Sequence, residues 1–341
     1  MFWIVQSGII AASSVVLARY CAYFIPESEP GIRLTAIGFI LMLSFVNYIG
    51  IEQGSAVQTI ATCAKVFAVV VILAFVFAFA GPKFEGFHAS AASPSWLEFA
   101  IAIGAALFTF GGWHMVSYAA GETREPAKTI PRALLIGTLI VVVCYIGINA
   151  AYLHLLPIQK VISSTRVAAD AATVVAGPRG AACVAALVIL SSLGVLNGVI
   201  LAGPRLYFAM AREDWVFRWM GVIHPRFHTP HVAILLQAVW SSFLVASSTY
   251  RDLFTRVVYT EWLFFALMTL GLFRLRRSAT YAPGYRVWGY PVVPLAFMVG
   301  AVIVACCQIA ADPWKACSGL ALIVVGWLVY RLGVYPSRSQ R

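Results

Sequence analysis

Apolar residues fall along this chain in long uninterrupted blocks, separated by shorter stretches that hold most of its charges and prolines. A helix needs about 20 mostly apolar residues to cross a hydrocarbon core of about 30 Å, so each block reads as a candidate membrane span. Ten such blocks predict helices over residues 2–25, 34–50, 56–80, 99–120, 132–154, 181–209, 232–248, 254–273, 291–311 and 316–335. The connection over 155–180 contains an Ala/Val-rich patch, 161–176, that suggests an additional surface helix.

Composition supports a polytopic membrane protein. The 341 residues are 61% hydrophobic and only 11% charged. An ordinary soluble domain runs at about 45–50% and about 25%, so the two soluble domains that length alone would suggest are excluded. Disordered, collagen-like and small disulfide-scaffold chains are excluded on the same grounds. The seven cysteines are odd in number, lie mostly inside apolar blocks and form no Cys-x-x-Cys pair, so they read as small buried hydrophobes. The net charge of +11 is too dilute for a nucleic-acid surface, and no nucleic-acid partner is expected.

Positive charge instead sorts the loops across the bilayer. Ten spans place both termini on one side, together with Arg124, Lys128 and Arg132, then Arg212, Arg218 and Arg226, and then the basic loop from Arg274 to Arg286 and the tail. That side is the richer in Lys and Arg, so both termini are expected to be cytoplasmic, in a plasma-membrane protein. The first basic residue is Arg19, so no cleaved signal peptide is expected.

Ionisable groups inside the spans need a reason, because a charge near the bilayer centre costs at least ~2.5–3.5 kcal/mol on insertion scales. Lys65 lies about ten residues into its span, roughly 15 Å deep, where snorkelling fails, so it reads as a functional cation facing the bundle interior. Arg19 lies near a span end and reads as a snorkelling residue. Glu261, several residues into the eighth span, reads equally as an interior site or as one half of a satisfied packing pair. In the fourth span Gly111 and Gly112 sit side by side, each costing about 1 kcal/mol relative to alanine in a helix interior. A break there bares backbone groups, which membrane depth tolerates only beside a cavity or a protein partner. With Phe108, Phe110, Trp113 and His114 around them, these glycines point to a discontinuous helix lining a substrate site. Gly194 and Gly198 have the spacing of simple helix packing, and Asn47 and Asn197 read as interhelical hydrogen-bond partners. His224, His228 and His231 are not expected to bind metal, since no cysteine or carboxylate joins them. No phosphate loop or catalytic constellation occurs, so neither an enzyme nor a cofactor is expected.

Several motifs together resemble the amino acid permeases of the amino acid-polyamine-organocation (APC) superfamily, closest to bacterial relatives of the L-type amino acid transporters. They are Asn47-Tyr48-Ile49-Gly50 with Gly54, Gln58 and Lys65; Phe108 to Trp113 followed by Gly121-Glu122-Thr123-Arg124-Glu125-Pro126; Leu196-Asn197-Gly198 with Ala211-Arg212-Glu213; and Glu261-Trp262-Leu263-Phe264-Phe265. The resemblance implies an all-α membrane protein with the LeuT-like inverted-repeat fold, its ten spans corresponding to helices three to twelve. Residues 1–335 would form one permease domain, with 1–80 a three-helix remnant of the first repeat, 99–273 the five-helix second repeat, 291–335 two added helices and 336–341 a cytoplasmic tail. It implies a secondary active, sodium-independent amino acid transporter, proton-coupled or exchanging. Lys65 would stand where sodium-coupled relatives bind an ion. Carbonyls around Phe108, Thr109 and Phe110, at the Gly111 and Gly112 break, would accept hydrogen bonds from the substrate's amino group. Phe108 would gate the substrate and Trp113 would shape its side-chain pocket, while Glu261 and Asn197 are further candidate interior polar groups.

The resemblance also marks a departure. Members carry two preceding helices, the first broken at a Gly-Ser-Gly-like turn that holds the substrate carboxylate, and nothing in this sequence corresponds to that turn. The chain therefore reads as N-terminally truncated, and a non-transporting remnant that acts as a membrane scaffold or partner subunit is the competing expectation.

Overall fold

The computed structural model describes residues 5–50, 55–79, 95–248, 250–278 and 280–334, and among them all regular structure is helical. The elements are α1 (Val5–Cys21), α2 (Glu29–Ile49), α3 (Ser55–Phe79), α4 (Trp96–Thr109), α5 (Pro126–Leu155), α6 (Ile158–Ser163), α7 (Val167–Arg212), α8 (His231–Ser247), α9 (Tyr250–Leu275), α10 (Val292–Ala311) and α11 (Pro313–Val329). A 3₁₀ helix, Trp113–Glu122, follows α4. Among the described residues, six helical stretches are long and apolar enough to cross a membrane, and four shorter apolar helices fall in the remaining blocks of the sequence. The protein is a multi-pass membrane protein.

Helix ends follow from local chemistry. Ser95 Oγ accepts the Glu98 amide at 3.2 Å while Glu98 Oε2 accepts the Ser95 amide at 2.8 Å, a reciprocal capping box that starts α4. α2 starts at Glu29, earlier than the apolar block, because Pro30 suits a first turn and Glu29 complements the positive helix end. α7 also begins well before its apolar block, at Val167, and is interrupted at Gly177, whose φ of 65° and ψ of −164° no other residue adopts readily. The Ala/Val patch is thus helical but divided between α6 and the first segment of α7.

The chain forms two compact units: Met1–Ala12, Ser93–Ala133 and Val199–Arg341 make the first, and Ser13–Ala92 and Leu134–Gly198 the second. In the first, α9 packs along α10, which also packs on α4. Fully buried Tyr259 donates its hydroxyl to the Ala316 carbonyl of α11 at 3.4 Å, in space left by Gly319. Pro204 inside α7 has no N–H for the Ile200 carbonyl. Gln237 of α8 supplies one instead, its Nε2 donating at 3.2 Å, while Gln6 Nε2 of α1 donates to the neighbouring Val199 carbonyl at 2.9 Å. Both glutamines are buried, so each bond replaces solvation that membrane depth does not offer.

The second unit has a core of Val76, Ala151, Leu155, Leu156 and Ala171, drawn from α3, α5 and α7 and the turn after α5. Buried Asn47 of α2 donates to Asn197 Oδ1 of α7 at 2.7 Å, an interhelical clamp as the sequence suggested. Tyr23 Oη donates to the Pro178 carbonyl at 3.2 Å, beside the α7 interruption, with the Arg166 guanidinium 5.5 Å above its ring. On α5, Leu135, Ile136, Leu139, Ile140, Val143 and Ile146 are 43% to 68% exposed, an apolar stripe suited to hydrocarbon rather than water.

Candidate functional site

The fourth span is broken where the paired glycines stand. α4 stops at Thr109, the 3₁₀ helix begins at Trp113, and Gly112 between them takes a φ of 93°. The regular ladder gives way to local bonds: Gly111 N–H donates to the Phe108 carbonyl at 2.9 Å, Thr109 Oγ1 to the Ala106 carbonyl at 2.6 Å, and Met115 N–H to the Gly112 carbonyl at 3.0 Å. A Cβ on Gly111 would lie 2.9 Å from the Phe108 oxygen, so that turn has no room for a side chain. Thr109, Gly111 and Trp113 are exposed, while Phe108, Phe110 and Gly112 are half-buried. Gly111 has no side chain, so its exposure is that of the backbone at the break.

Trp113 leads the new helix into an aromatic cluster. Its ring centroid lies 5.1 Å from Phe265 of α9 and 6.4 Å from Phe297 of α10, and Trp262 lies 5.9 Å from Phe297. Next to it, His114 faces Glu261 of α9, Nδ1 to Oε1 at 3.5 Å, in ion-pair range but longer than a good hydrogen bond. The two residues are 9% and 3% exposed, and Phe265 flanks the imidazole at 5.5 Å. Of the two readings open for Glu261, the structure gives it a paired neighbour beside the break. His114 was read from the sequence only as one of the bulky and polar groups around the break, with no partner assigned. Its only signal was its place next to the glycines, since its partner lies far along the chain.

The remaining candidates lie in the second unit. Lys65 of α3 is half-buried, and its Nζ donates to the Ser191 carbonyl of α7 at 3.3 Å. Gly194, one turn further along α7, also faces this amine: an added Cβ would lie 3.5 Å from Nζ. The first glycine of the Gly194/Gly198 spacing thus borders the lysine in addition to any packing role. Asn197, the next turn along, is occupied by Asn47. Among the described residues no carboxylate is within ion-pair distance of Lys65, and Ser191 holds it by a neutral oxygen. Of the quoted motif residues, Gly54 lies outside the described residues, as do the side chains of Gln58 and Glu122.

His224, His228 and His231 form no metal cluster. Among the described residues no group of three metal-ligating side chains occurs, and His224 Nδ1 instead accepts the Arg226 and Phe227 amides at 3.2 Å, ordering the loop.

A family profile described as amino acid permease matches residues 1–330. The serine/threonine exchanger SteT of Bacillus subtilis is 31% identical over 306 residues, 87% of this chain and 68% of its own. The mouse large neutral amino acids transporter small subunit 2 is 29% identical over 324 residues, 92% of this chain and 59% of its own. The mouse b(0,+)-type amino acid transporter 1 is 26% identical over 328 residues, 92% of this chain and 66% of its own. The chain thus spans only about two thirds of the length of these relatives or slightly less.

Proposed function

We propose that this chain, which belongs to the amino acid permease family, is a secondary active amino acid transporter that works without sodium, as a proton-coupled carrier or an exchanger. The observation that carries this reading is the break at residues 110–112, where an apolar helix gives up its regular backbone bonds beside exposed backbone. Such a break is costly in a membrane unless a polar ligand uses it. On this reading the carbonyls around Phe108, Thr109 and Phe110 accept hydrogen bonds from the substrate's amino group, Phe108 closes over the substrate and Trp113 bounds its side chain. Lys65 supplies a resident positive charge in place of a metal cation. The names of the relatives support the substrate class, since each is an amino acid transporter or exchanger. One relative is named as a small subunit, which supports a partner subunit for this chain as well. The distribution of basic loops supports cytoplasmic termini, and a plasma-membrane location belongs to the same reading.

The test is counterflow. The full chain is reconstituted in liposomes loaded with an unlabelled mixture of the twenty L-amino acids, and entry of labelled amino acids is followed in sodium and in choline buffers. Entry that exceeds protein-free liposomes equally in both buffers supports the reading. Entry no faster than in protein-free liposomes overturns it, and entry that requires sodium overturns the role of Lys65.

A further inference from the structure

Besides Lys65 of the second unit, the chain holds an ionisable arrangement in its first unit, on candidate membrane-spanning segments. His114 and Glu261 are both deeply buried, 3.5 Å apart, on two elements that differ in stiffness. Glu261 sits on α9, a regular helix packed along α10. His114 is the second residue of a 3₁₀ helix that begins directly after the Gly112 turn. A 3₁₀ stretch within a spanning segment is a common site for a hinge, and a change of geometry at residues 110–112 would alter the separation of imidazole and carboxylate.

We propose that His114 and Glu261 are a proton-carrying pair, taking up one proton as an amino acid is loaded and releasing it on the other side of the membrane. This rests on the transporter reading above. The pair with one proton has no net charge: either an imidazolium N–H faces the Oε1 carboxylate, or a carboxylic acid faces a neutral imidazole nitrogen. Uptake forms that N–H or O–H bond as one O–H bond of a hydronium ion breaks, leaving water. Release reverses the step, leaving a carboxylate beside a neutral ring. A buried carboxylate with no counter-charge is costly, so the apposed geometry holds the proton and a separated geometry beside water gives it up. The break couples the two events because Trp113, placed at the substrate's side chain, and His114 are consecutive residues on the same short helix.

By position in the helices, the charged residues of the surrounding elements are Glu98 in the first turn of α4, Lys315 in the first turn of α11, and Arg251, Asp252, Arg256 and Arg274 of α9; the side chains of Lys315, Arg251, Asp252 and Arg256 lie outside the described residues. Glu122 ends the 3₁₀ helix, which also carries Tyr118, and α9 carries Tyr250 and Tyr259. α10 brings no charge; its ionisable side chains are Cys306 and Cys307, and α11 adds Cys317. Among the described residues, the ion pair at Glu261 is with His114.

The experiment uses the full chain in liposomes with the labelled mixture of the twenty L-amino acids as probe. Counterflow at equal pH is measured first; accumulation under an inward proton gradient follows, with a dye in the lumen reporting protons. The wild-type protein is expected to accumulate amino acids and to acidify the lumen only when they are present. Glu261→Gln and His114→Gln are each expected to keep counterflow and to lose both gradient-driven accumulation and the acidification. Amino-acid-dependent acidification that persists in Glu261→Gln, or wild-type counterflow without any acidification, overturns the pair while leaving the transporter reading in place. Absence of wild-type counterflow overturns both. Should Glu261→Gln not yield folded protein, the wild-type acidification and His114→Gln decide the matter.

Discussion

The two units keep an ionisable group inside an apolar helix bundle by opposite means. In the second, Lys65 has no ion-pair partner among the described residues and leans on the Ser191 carbonyl, a backbone oxygen that has no proton to exchange. In the first, Glu261 meets His114, and each partner can both hold and yield a proton. The Lys65 side is built from uninterrupted helix around its contact, whereas the pair adjoins the break at Gly112. A backbone acceptor on a regular helix suits a resident charge, and a side-chain pair beside a hinge suits a changing one.

The sharpest way to break this comparison is at Lys65. Lys65→Ala is expected to abolish gradient-coupled uptake while the detergent-solubilised protein still elutes as a monodisperse species with a cooperative melt. Coupled uptake at the wild-type level in that variant would show that the amine does not act in transport. Stability should hardly change, because the amine is only half-buried and its removal strands no charge, leaving one backbone carbonyl that already serves the helix ladder.

The counterpart in the first unit should behave differently. His114→Leu removes one member of a buried pair and leaves the Glu261 carboxylate buried without that partner. Breaking a buried pair in this way costs about 3–5 kcal/mol, so a marked drop in the melting midpoint is expected at neutral pH. His114→Leu with Glu261→Met removes both partners and should recover most of that loss, since apolar groups of similar volume replace a desolvated pair. Equal melting of the single and the double variant would show that the pair carries no net interaction.

How much of this was legible in the sequence depends on range. The break was visible because two adjacent glycines in an apolar block are a local contradiction that few structures tolerate. Lys65 was visible for the same reason, as a charge at the wrong depth. Their surroundings were not. The carbonyl of Ser191 has no side-chain signature, and His114 and Glu261 are joined only by the packing of the 3₁₀ helix on α9. Helix ends were read from hydropathy, so α2 and α7 came out short, because Glu29, Pro30 and Asp170 begin helices without being apolar. The interruption at Gly177 was missed since Gly-Pro reads first as a loop, although the helix resumes directly beyond it.

A smaller effect tests whether neutral polar clamps follow the same division. Gln237→Leu removes the donor that replaces the missing Pro204 amide and leaves the Ile200 carbonyl without that bond. Asn197→Leu leaves the Asn47 amide with only the Leu43 carbonyl, which it already contacts at 2.8 Å. Leaving a buried polar group unsatisfied costs about 1–3 kcal/mol, so both variants should melt lower. Gln237→Leu should lie at the upper end, because Asn47 retains a partner and Ile200 is not given another by the proline. The reverse order would mean that the proline-freed carbonyl is served from elsewhere.

The smallest effect is expected where charge is plentiful. Arg218 donates to both oxygens of Asp214, at 2.6 and 3.1 Å, in the loop between α7 and α8, and these bonds hold the guanidinium above its ordinary range. The geometry is better than that of His114 with Glu261, yet the Arg218 side chain is exposed, and there an ion pair replaces hydration with little gain. Arg218→Ala should therefore leave the melting midpoint and uptake unchanged within error, in low and in high salt alike. If it instead costs as much as His114→Leu, distance rather than burial would set the value of a pair in this protein, and the contrast between the two units would lose its physical basis.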